Sequence, residues 1–447
     1  MTTQKDANQS RHLHSKPVLQ LVTLCFLLAG GSVWADSTEI GWPEFRGPWA
    51  NGIVGSQDGK APVGIPLRWS ETENVVWKTA IPHKGWSTPV VLEGRIWLTT
   101  ATEEGHDYFV LCIDAETGKI LIDRKLFHSG DPEPLGNIVN SYASPTAAIE
   151  AGRVYIHFGS YGTACLDTGT GETIWERTDL ECRHYRGPGS SVILFENLLL
   201  LTFDGADVQY LAALDKETGA TVWKTDRSTI WPDLDEDGQP LREGDFRKAF
   251  TTPLIVWSEG QPLLISPASY CVFAYNARTG KEIWRLHNNA YSPAPRPIAS
   301  EDLLYIVTGR GAAALWALRP GMQGDVDPTQ LVWSFEGRRV PNEPSPLLVD
   351  GLLYLLSNDG IVTCLDAATG AEIWDQRIGG NYMASSIYAD GRIYCFSVQG
   401  KVTVLKAGRE TKVLAENNLV EGYMASPAVV GKSLYLRTKT HLYRIKE

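Results

Sequence analysis

Apolar runs of five or six residues recur along the chain, and most follow a glycine or an acidic turn. Short runs that are rich in β-branched and aromatic residues and bounded by turn residues predict β-strands. A small residue followed by Pro opens the strand before most of these runs, as in Ser87-Thr-Pro89 and Pro344-Ser-Pro346. The runs themselves read RIWLT, RVYIHF, LLLLTF, LLYIVT, LLYLLS, RIYCFS and SLYLR.

A turn phrase follows most of these strands, and we call it the Thr-Gly turn. Its Asp or Asn accepts local backbone N–H bonds and its Gly takes a positive φ, so the phrase predicts a hairpin. A Trp follows eight residues after the Asp or Asn in four copies, and we expect it to fill the gap between adjacent sheets. The five copies begin at Asp114, Asp167, Asp215, Asn276 and Asp366, and the four tryptophans are Trp175, Trp223, Trp284 and Trp374.

Each repeat therefore predicts four strands, and the units can be counted. Fourth strands centre near residues 77, 122, 175, 223, 284, 333, 374 and 413, whereas the eighth set of first to third strands ends the chain without a fourth. The first fourth strand, Val75-Val76-Trp77, has no strands before it. This N-terminal strand should complete the C-terminal sheet and remove the exposed edges. The sequence predicts an all-β, eight-bladed β-propeller of four-stranded antiparallel blades.

The Asp-x-x-Thr-Gly-x-x-x-Trp phrase resembles the pyrroloquinoline-quinone-like (PQQ-like) propeller repeat over about residues 66–447. That family includes the quinoprotein alcohol dehydrogenases and the propeller lipoprotein of the outer-membrane β-barrel assembly machinery. The resemblance implies the fold, but the repeated Trp and Gly positions are structural and do not select a function. The segment Trp42-Pro-Glu-Phe-Arg-Gly-Pro48 resembles the N-terminal signature of exported bacterial members, and we expect residues 36–65 to be an ordered lead-in that packs on the propeller.

The N-terminus indicates export. Basic residues precede the apolar run 17–29, and Val33-Trp34-Ala35 places small residues at a cleavage site. The run is shorter than the ~20 residues of a spanning helix, so we expect residues 1–35 to be a cleaved signal peptide, with no transmembrane span in the mature chain. Cys25 lacks the small residues of a lipoprotein box, so no lipid anchor is predicted. The predicted location is periplasmic or otherwise exported.

The net charge of −11 excludes whole classes of partner. Nucleic acid and anionic membrane surfaces both require a basic excess that this chain lacks. Export would permit disulfides, yet no close cysteine pair or metal-type spacing is present. We expect the six cysteines after the signal region to be buried free thiols. They are Cys112, Cys165, Cys182, Cys271, Cys364 and Cys395.

Loops from the fourth strand of one blade to the first strand of the next should surround the channel mouth, where propeller ligands bind. An aromatic residue recurs there, and arginines lie nearby. Two interpretations remain open: these residues bind an anionic, planar or sugar-like ligand or a peptide edge, or the aromatics wedge neighbouring blades together. The candidate ligand-binding residues are Trp86, Tyr142, Tyr185, Arg186, Arg247, Tyr291, Arg310, Arg339, Tyr382 and Tyr423.

The resemblance also says what an active quinoprotein would need: a vicinal Cys-Cys pair, a Trp floor, and Ca²⁺ held by Glu and Asn beside a catalytic Asp. The sequence has no Cys-Cys pair, and no motif assigns the metal ligands. A PQQ cofactor is therefore disfavoured, and no catalytic residue is assigned.

An acidic stretch lies in the longest interval between repeats. Asp233, Asp235 and Asp237 precede Gly238, which resembles the start of an oxygen-rich Ca²⁺ loop. Glu243 or Asp245 would have to replace the bidentate Glu that such loops carry at position 12. A structural Ca²⁺ bound by Asp233, Asp235, Asp237 and Glu243 is one interpretation, and an acidic solvated loop is the other.

Taken together, these features predict an exported, monomeric, non-catalytic propeller that acts as a binding or scaffolding module. Its partner would be a protein or a small ligand at a propeller face or at the loops 128–140 and 228–249, with outer-membrane protein assembly as the family-level analogy. The first alternative is a PQQ-dependent alcohol or sugar dehydrogenase. The second is a carbohydrate-binding propeller, which depends on the aromatic residues of the mouth.

Overall fold

The computed structural model describes residues 40–136 and 139–447, so the predicted signal peptide lies outside the described residues. Eight four-stranded antiparallel sheets form the blades of a β-propeller, which confirms the predicted fold. Strand β1 spans Val75–Ala80. Blades 1 to 4 comprise β2 (Val90–Leu92), β3 (Arg95–Ala101), β4 (Asp107–Asp114) and β5 (Ile120–His128); β6 (Ala148–Glu150), β7 (Arg153–His157), β8 (Thr163–Asp167) and β9 (Thr173–Arg177); β10 (Ile193–Phe195), β11 (Leu198–Asp204), β12 (Gln209–Asp215) and β13 (Thr221–Asp226); and β14 (Leu254–Ser258), β15 (Gln261–Ala268), β16 (Cys271–Asn276) and β17 (Glu282–His287).

Blade 5 is the least regular blade. Its loops contribute β18 (Ala290–Tyr291), which pairs with β21 (Arg310–Gly311), and β23 (Gly324–Val326), which adds a parallel fifth strand to blade 4. Two 3-10 helices, Leu241–Arg247 and Pro328–Gln330, lie in loops. Blades 5 to 8 comprise β19 (Ile298–Ala299), β20 (Leu304–Val307), β22 (Ala314–Leu318) and β24 (Trp333–Glu336); β25 (Leu347–Val349), β26 (Leu352–Leu356), β27 (Ile361–Asp366) and β28 (Glu372–Arg377); β29 (Ile387–Ala389), β30 (Arg392–Phe396), β31 (Lys401–Lys406) and β32 (Val413–Asn418); and β33 (Ala428–Val430), β34 (Ser433–Arg437) and β35 (His441–Ile445), with β1 as the fourth strand of blade 8.

Closure of the ring occurs as predicted. Strand β1 pairs antiparallel with β35 from Val75–Ile445 to Ala80–His441, with one irregularity between Val75 and Trp77. The two middle strands of each blade are buried on both faces, because a neighbouring blade covers each side. The outermost strands alternate between half-buried and exposed positions instead, as in β1. Hydrophobic clusters accordingly lie between neighbouring blades.

The Thr-Gly turn and the Trp of the repeat meet across the blade interface. In the first copy, the Asp114 carboxylate accepts bonds from the backbone N–H and the hydroxyl of Thr117, both at 2.7 Å. The carbonyl of Ala115 in that turn accepts the indole N–H of Trp77 from blade 8 at 3.1 Å. Within the described residues, six interfaces use this bond. Its donors are Trp77, Trp175, Trp223, Trp284, Trp333 and Trp374.

Glycine is required in the turn because the Trp of the preceding blade lies against it. Gly280 has a φ of 70°, and a Cβ there would stand 2.5 Å from the Trp223 ring. One repeat therefore supplies a turn to the blade before it and a Trp to the blade after it.

Removing one of these tryptophans should destabilise the protein strongly. We expect Trp223→Ala to lower the free energy of unfolding by about 3–5 kcal/mol, because it empties a buried site and leaves the Ala277 carbonyl unpaired. Trp257 is 58% exposed, so Trp257→Ala is the control and should cost less than about 1 kcal/mol. Urea denaturation measures both values, and equal losses would contradict this account of the interface.

Candidate functional site

Residues 41–54, which we call the plug, cross the central channel. Trp42 pairs with Val91 on the inner strand of blade 1 through two backbone hydrogen bonds of 2.7 and 2.9 Å. The carbonyl of Pro43 accepts the N–H of Ile149 in blade 2. At the far side, Val54 donates its N–H to the carbonyl of Tyr388 in blade 7 at 2.9 Å. The lead-in therefore closes one end of the channel, in addition to packing on the propeller as predicted.

Two buried arginines hold the plug in place. Arg46, 2% exposed, donates to the carbonyls of Ser386, Asn51 and Pro346 at 2.5, 2.7 and 2.8 Å. Burial, together with the positive charge of Arg296, lowers the pKa of Arg46 to about 9, so it stays cationic at neutral pH.

Arg296 holds the plug from blade 5. It is also 2% exposed, and its guanidinium donates to the Glu44 carboxylate at 3.0 Å and to the Phe45 carbonyl at 2.5 Å. Burial raises the pKa of Glu44, although Arg296 opposes the shift. Sequence reasoning noticed the segment that contains Glu44, Phe45 and Arg46 but missed that it forms a floor, because nothing local to it specifies which distant carbonyls it meets.

Above the plug, the channel mouth contains a cavity of about 520 Å³, within the range of small-molecule sites. Phe45 of the plug is among its lining residues. The wall combines hydroxyls, three arginines, two carboxylates and several aromatic rings. They include Trp86, Thr88, Thr146, Arg186, Ser191, Arg242, Asp245, Phe250, Thr252, Tyr291, Arg310, Glu343, Ser385 and Ser426.

Hydroxyls two residues before the inner strands form two hydrogen-bonded arcs around the channel. In each arc the backbone N–H of one blade donates to the hydroxyl of the next, for example Ser345 to Ser385 at 2.9 Å. Arg296 takes the hydroxyl's place in blade 5 and donates its N–H to Ser345. The small-residue–Pro signature thus places polar groups on the channel wall. The accepting hydroxyls are Thr146, Ser191, Thr252, Ser345, Ser385 and Ser426.

Two of the three cavity arginines are neutralised. Arg186 donates from Nε and Nη2 to the two carboxylate oxygens of Asp245, at 3.2 and 3.3 Å. Arg310 donates to the carboxylate of Glu343, which also accepts from Asn358. Arg242 has no carboxylate partner among the described residues, and its guanidinium lies 5.0 Å from the centre of the Phe246 ring. The cavity therefore carries a net positive charge in an acidic protein.

Of the ten residues predicted at the mouth, four line the cavity: Trp86, Arg186, Tyr291 and Arg310. The pairing of β18 with β21 brings Tyr291 opposite Arg310. Tyr185 lies beside the cavity without lining it, and its ring contacts the Arg186 guanidinium at 4.7 Å.

The other five differ from the expectation, because their side chains are committed elsewhere. Tyr142, Tyr382 and Tyr423 are at most 5% exposed and act as the wedges of the alternative interpretation. Arg247 binds Asp233 at 2.9 Å. Arg339 pairs with Glu372 and Asp375 of β28, away from the cavity.

The acidic stretch is arranged differently from a Ca²⁺ loop. Asp233 is buried and both its oxygens accept from Arg247, so its charge is already compensated. Asp235 accepts the backbone N–H groups of Asp237 and Gln239 and forms a tight turn. Glu243 instead lies 3.8 Å from Arg183. Among the described residues no group of three or more His, Cys, Asp or Glu side chains is positioned to hold a metal ion.

A PQQ site would need Ca²⁺, and Ca²⁺ requires several converging oxygen ligands. The two cavity carboxylates, Asp245 and Glu343, are bound by arginines. The six described cysteines are buried and free, as predicted, so no disulfide stands above the cavity. The residues present do not fit a PQQ–Ca²⁺ pair.

A buried Lys–His pair joins the loop between blades 2 and 3 to the loop between blades 3 and 4. His184 accepts the backbone N–H of Ser160 on Nε2 at 2.9 Å, so a neutral imidazole carries its hydrogen on Nδ1. That atom faces Lys248 Nζ at 3.3 Å. Because an ammonium group only donates, the pair bonds when Lys248 is a neutral amine. Burial lowers the pKa of Lys248, and burial followed by the Lys248 charge lowers that of His184.

A family model described as the outer membrane protein assembly factor BamB matches residues 10–192 and 207–447. The chain belongs to the BamB family. Outer membrane protein assembly factor BamB of Yersinia pestis is 22% identical over 266 residues, which span 48% of this chain and 64% of that protein. The match thus covers less than two thirds of this BamB relative.

Solved structures share the BamB-family fold at low identity. BamB from Moraxella catarrhalis has a TM-score of 0.55 and 13% identity, with 83% of this chain and 99% of that chain covered. Quinohemoprotein alcohol dehydrogenase from Comamonas testosteroni has a TM-score of 0.64 and 13% identity, with 91% and 80% covered. At such identities the likeness shows the fold alone. Within the described part of this family member, no helix has the length and apolar character needed to cross a membrane.

The plug should contribute to stability through Arg46. We expect Arg46→Met to lower the free energy of unfolding by about 2–5 kcal/mol, because it leaves buried carbonyls unpaired. Arg68 is exposed and makes one long contact, of 3.5 Å, to the Leu414 carbonyl. Arg68→Met is therefore the control and should change the value by less than about 0.5 kcal/mol. Chemical denaturation would refute the role of Arg46 if the two variants matched.

The hydrogen-bond geometry of the Lys248–His184 pair predicts an unusual order of substitutions. Lys248→Met should cost about 1–3 kcal/mol, since it leaves the Nδ1–H of His184 with only a weak acceptor, the Cys182 Sγ at 3.7 Å. Lys248→Arg places a permanent charge in the buried site and should cost at least about 2 kcal/mol more. Denaturation with urea ranks the two variants, and better tolerance of Arg than of Met would show that the site accepts a cation.

Proposed function

We propose that this chain is a non-catalytic, periplasmic propeller that binds a protein partner and takes part in the assembly of outer membrane proteins. Membership of the BamB family supports the assembly role. The residues 1–35, with their basic start and apolar run, support export. The observation that carries protein binding is an exposed apolar surface on one loop beside the cavity.

That loop, residues 228–249, is the rim loop. Three of its aliphatic side chains face solvent: Ile230 is 85% exposed, Leu234 52% and Leu241 44%. Single exposed apolar residues are ordinary, whereas several on one surface segment mark interaction sites. Arg242 and Asp245 of the same loop line the cavity, so this apolar surface adjoins the channel mouth.

Internal bonds hold the rim loop in shape. The Asp233–Arg247 ion pair joins its two arms, and the Arg247 guanidinium lies 5.6 Å from the Trp231 ring. The backbone N–H of Leu241 donates to the Asp233 carbonyl at 2.7 Å. A surface that is already ordered loses less conformational entropy on binding, so such a loop suits recognition of a folded partner. The acidic residues that resemble a Ca²⁺ loop therefore have a structural role in presenting the apolar side chains.

The assembly role predicts a loop-dependent phenotype in the cell that makes the protein. Deleting the gene should lower the amount of β-barrel proteins in the outer membrane, and the unchanged gene should restore it. The triple variant Ile230→Ser, Leu234→Ser, Leu241→Ser should not, because it removes most of the exposed apolar area while the Asp233–Arg247 pair remains. Quantitative proteomics of outer membrane fractions measures the effect.

A matched control uses exposed valines on outer strands. Val222 and Val413 are 50% and 46% exposed on blades 3 and 7, and their replacement by Ser should leave complementation intact. Full rescue by the triple variant would exclude the rim loop as the docking surface. A dye-linked dehydrogenase activity of the purified chain with PQQ, Ca²⁺ and an alcohol or sugar would overturn the non-catalytic assignment.

A further inference from the structure

The cavity offers hydrogen-bonding capacity that the protein itself leaves unused. Each hydroxyl of the two arcs accepts a backbone N–H, and none of them donates to another described residue. A hydroxyl has one donor and two acceptor sites, so each retains its O–H and a lone pair. These groups are suited to a ligand that both donates and accepts.

The charged residues of the cavity favour a ligand with one negative charge. Asp245 and Glu343 are already bound by arginines, whereas Arg242 is not neutralised by any described carboxylate. A planar guanidinium matches a carboxylate in geometry and charge. The ligand should therefore carry one carboxylate, directed towards the rim, and uncharged polar groups directed towards the hydroxyl arcs.

The aromatic rings of the wall and the volume of the cavity favour a ligand that contains a sugar ring. Trp86, Phe250 and Tyr291 stand in the wall, and Phe45 contributes from the plug. Aromatic faces pack against the apolar C–H surface of a sugar ring while their polar tips can hydrogen-bond. A volume of about 520 Å³ accommodates one or two such rings.

We propose that this cavity binds a small sugar acid, a hydroxyl-bearing ring with a carboxylate, of the uronic acid type. The carboxylate pairs with Arg242, and the ring hydroxyls exchange hydrogen bonds with Thr146, Ser191, Thr252, Ser385 and Ser426. The plug makes the site one-ended, because it closes the channel beneath the ligand. The site uses Arg242 of the rim loop but none of the three exposed aliphatic side chains, Ile230, Leu234 and Leu241, so its ligand binding can be tested separately from the proposed assembly role.

Isothermal titration of the purified full chain tests the proposal with three probes: glucuronate, glucose and acetate. Glucuronate should bind saturably below about 10 mM, and glucose, which lacks the carboxylate, should bind about ten-fold or more weakly. Acetate, which lacks the ring, should bind at least as weakly. Equal binding of glucose would exclude the role of charge, equal binding of acetate would exclude the ring, and the absence of saturable glucuronate binding would overturn the proposal.

Two arginine variants test the site. Arg242→Gln should weaken glucuronate binding about ten-fold and leave glucose unchanged. Arg409, which lies on a turn of blade 7 with its side chain 68% exposed, supplies the control Arg409→Gln and should change neither value. Thermal unfolding verifies that both variants fold. Unchanged glucuronate affinity in Arg242→Gln would place any binding elsewhere, and normal rescue of outer membrane proteins by this variant would keep the two proposals distinguishable.

Discussion

The contact between a tryptophan and the Thr-Gly turn of the next blade is the interaction on which the ring depends. Neither partner is satisfied within its own repeat: the indole N–H needs a carbonyl, and the turn glycine faces empty space until the neighbouring ring covers it. The fourth strand of blade 8 is β1, so Trp77 makes the same contact between blade 8 and blade 1, where the ring closes. Closure therefore uses the chemistry that joins five other interfaces, with a strand pairing added.

Ring closure in turn creates the channel that the plug and the cavity occupy. Inner strands of two to five residues converge on the axis, and the hydroxyls just before them link neighbouring blades. Blade 5 breaks this pattern with Arg296, whose side chain reaches the plug while its backbone still joins the hydroxyl arc. The plug residue Arg46 binds carbonyls of blades 6 and 7 in the same way. Buried charge is thus used where a segment distant in sequence must be fixed across the ring.

Ion pairs also explain why the rim loop presents apolar side chains while the channel mouth carries a positive charge. At Asp233, Arg247 compensates a carboxylate that the sequence alone offers to a metal ion, and the result is an ordered loop with apolar side chains outside. At the mouth, the arginines at 186 and 310 are occupied by carboxylates from neighbouring loops, which leaves Arg242 to set the charge of the cavity. Ion pairs within and between loops, rather than the number of charged residues, decide what each surface can bind.

The sequence by itself determined the fold, the number of blades, the closing strand and the burial of the cysteines, because each depends on a repeated local pattern: a turn phrase, a Trp at fixed spacing and short apolar runs. It also pointed to Trp86, Arg186, Tyr291 and Arg310, which the structure places in the cavity wall, while their binding of a ligand stays a prediction. Only the tertiary structure decided that Tyr142, Tyr382 and Tyr423 are wedges, that Arg247 faces Asp233, and that residues 41–54 close the channel. These outcomes depend on which blades meet around the ring. The sequence next to a residue does not specify a partner that lies up to 340 positions away, as Ser386 does from Arg46.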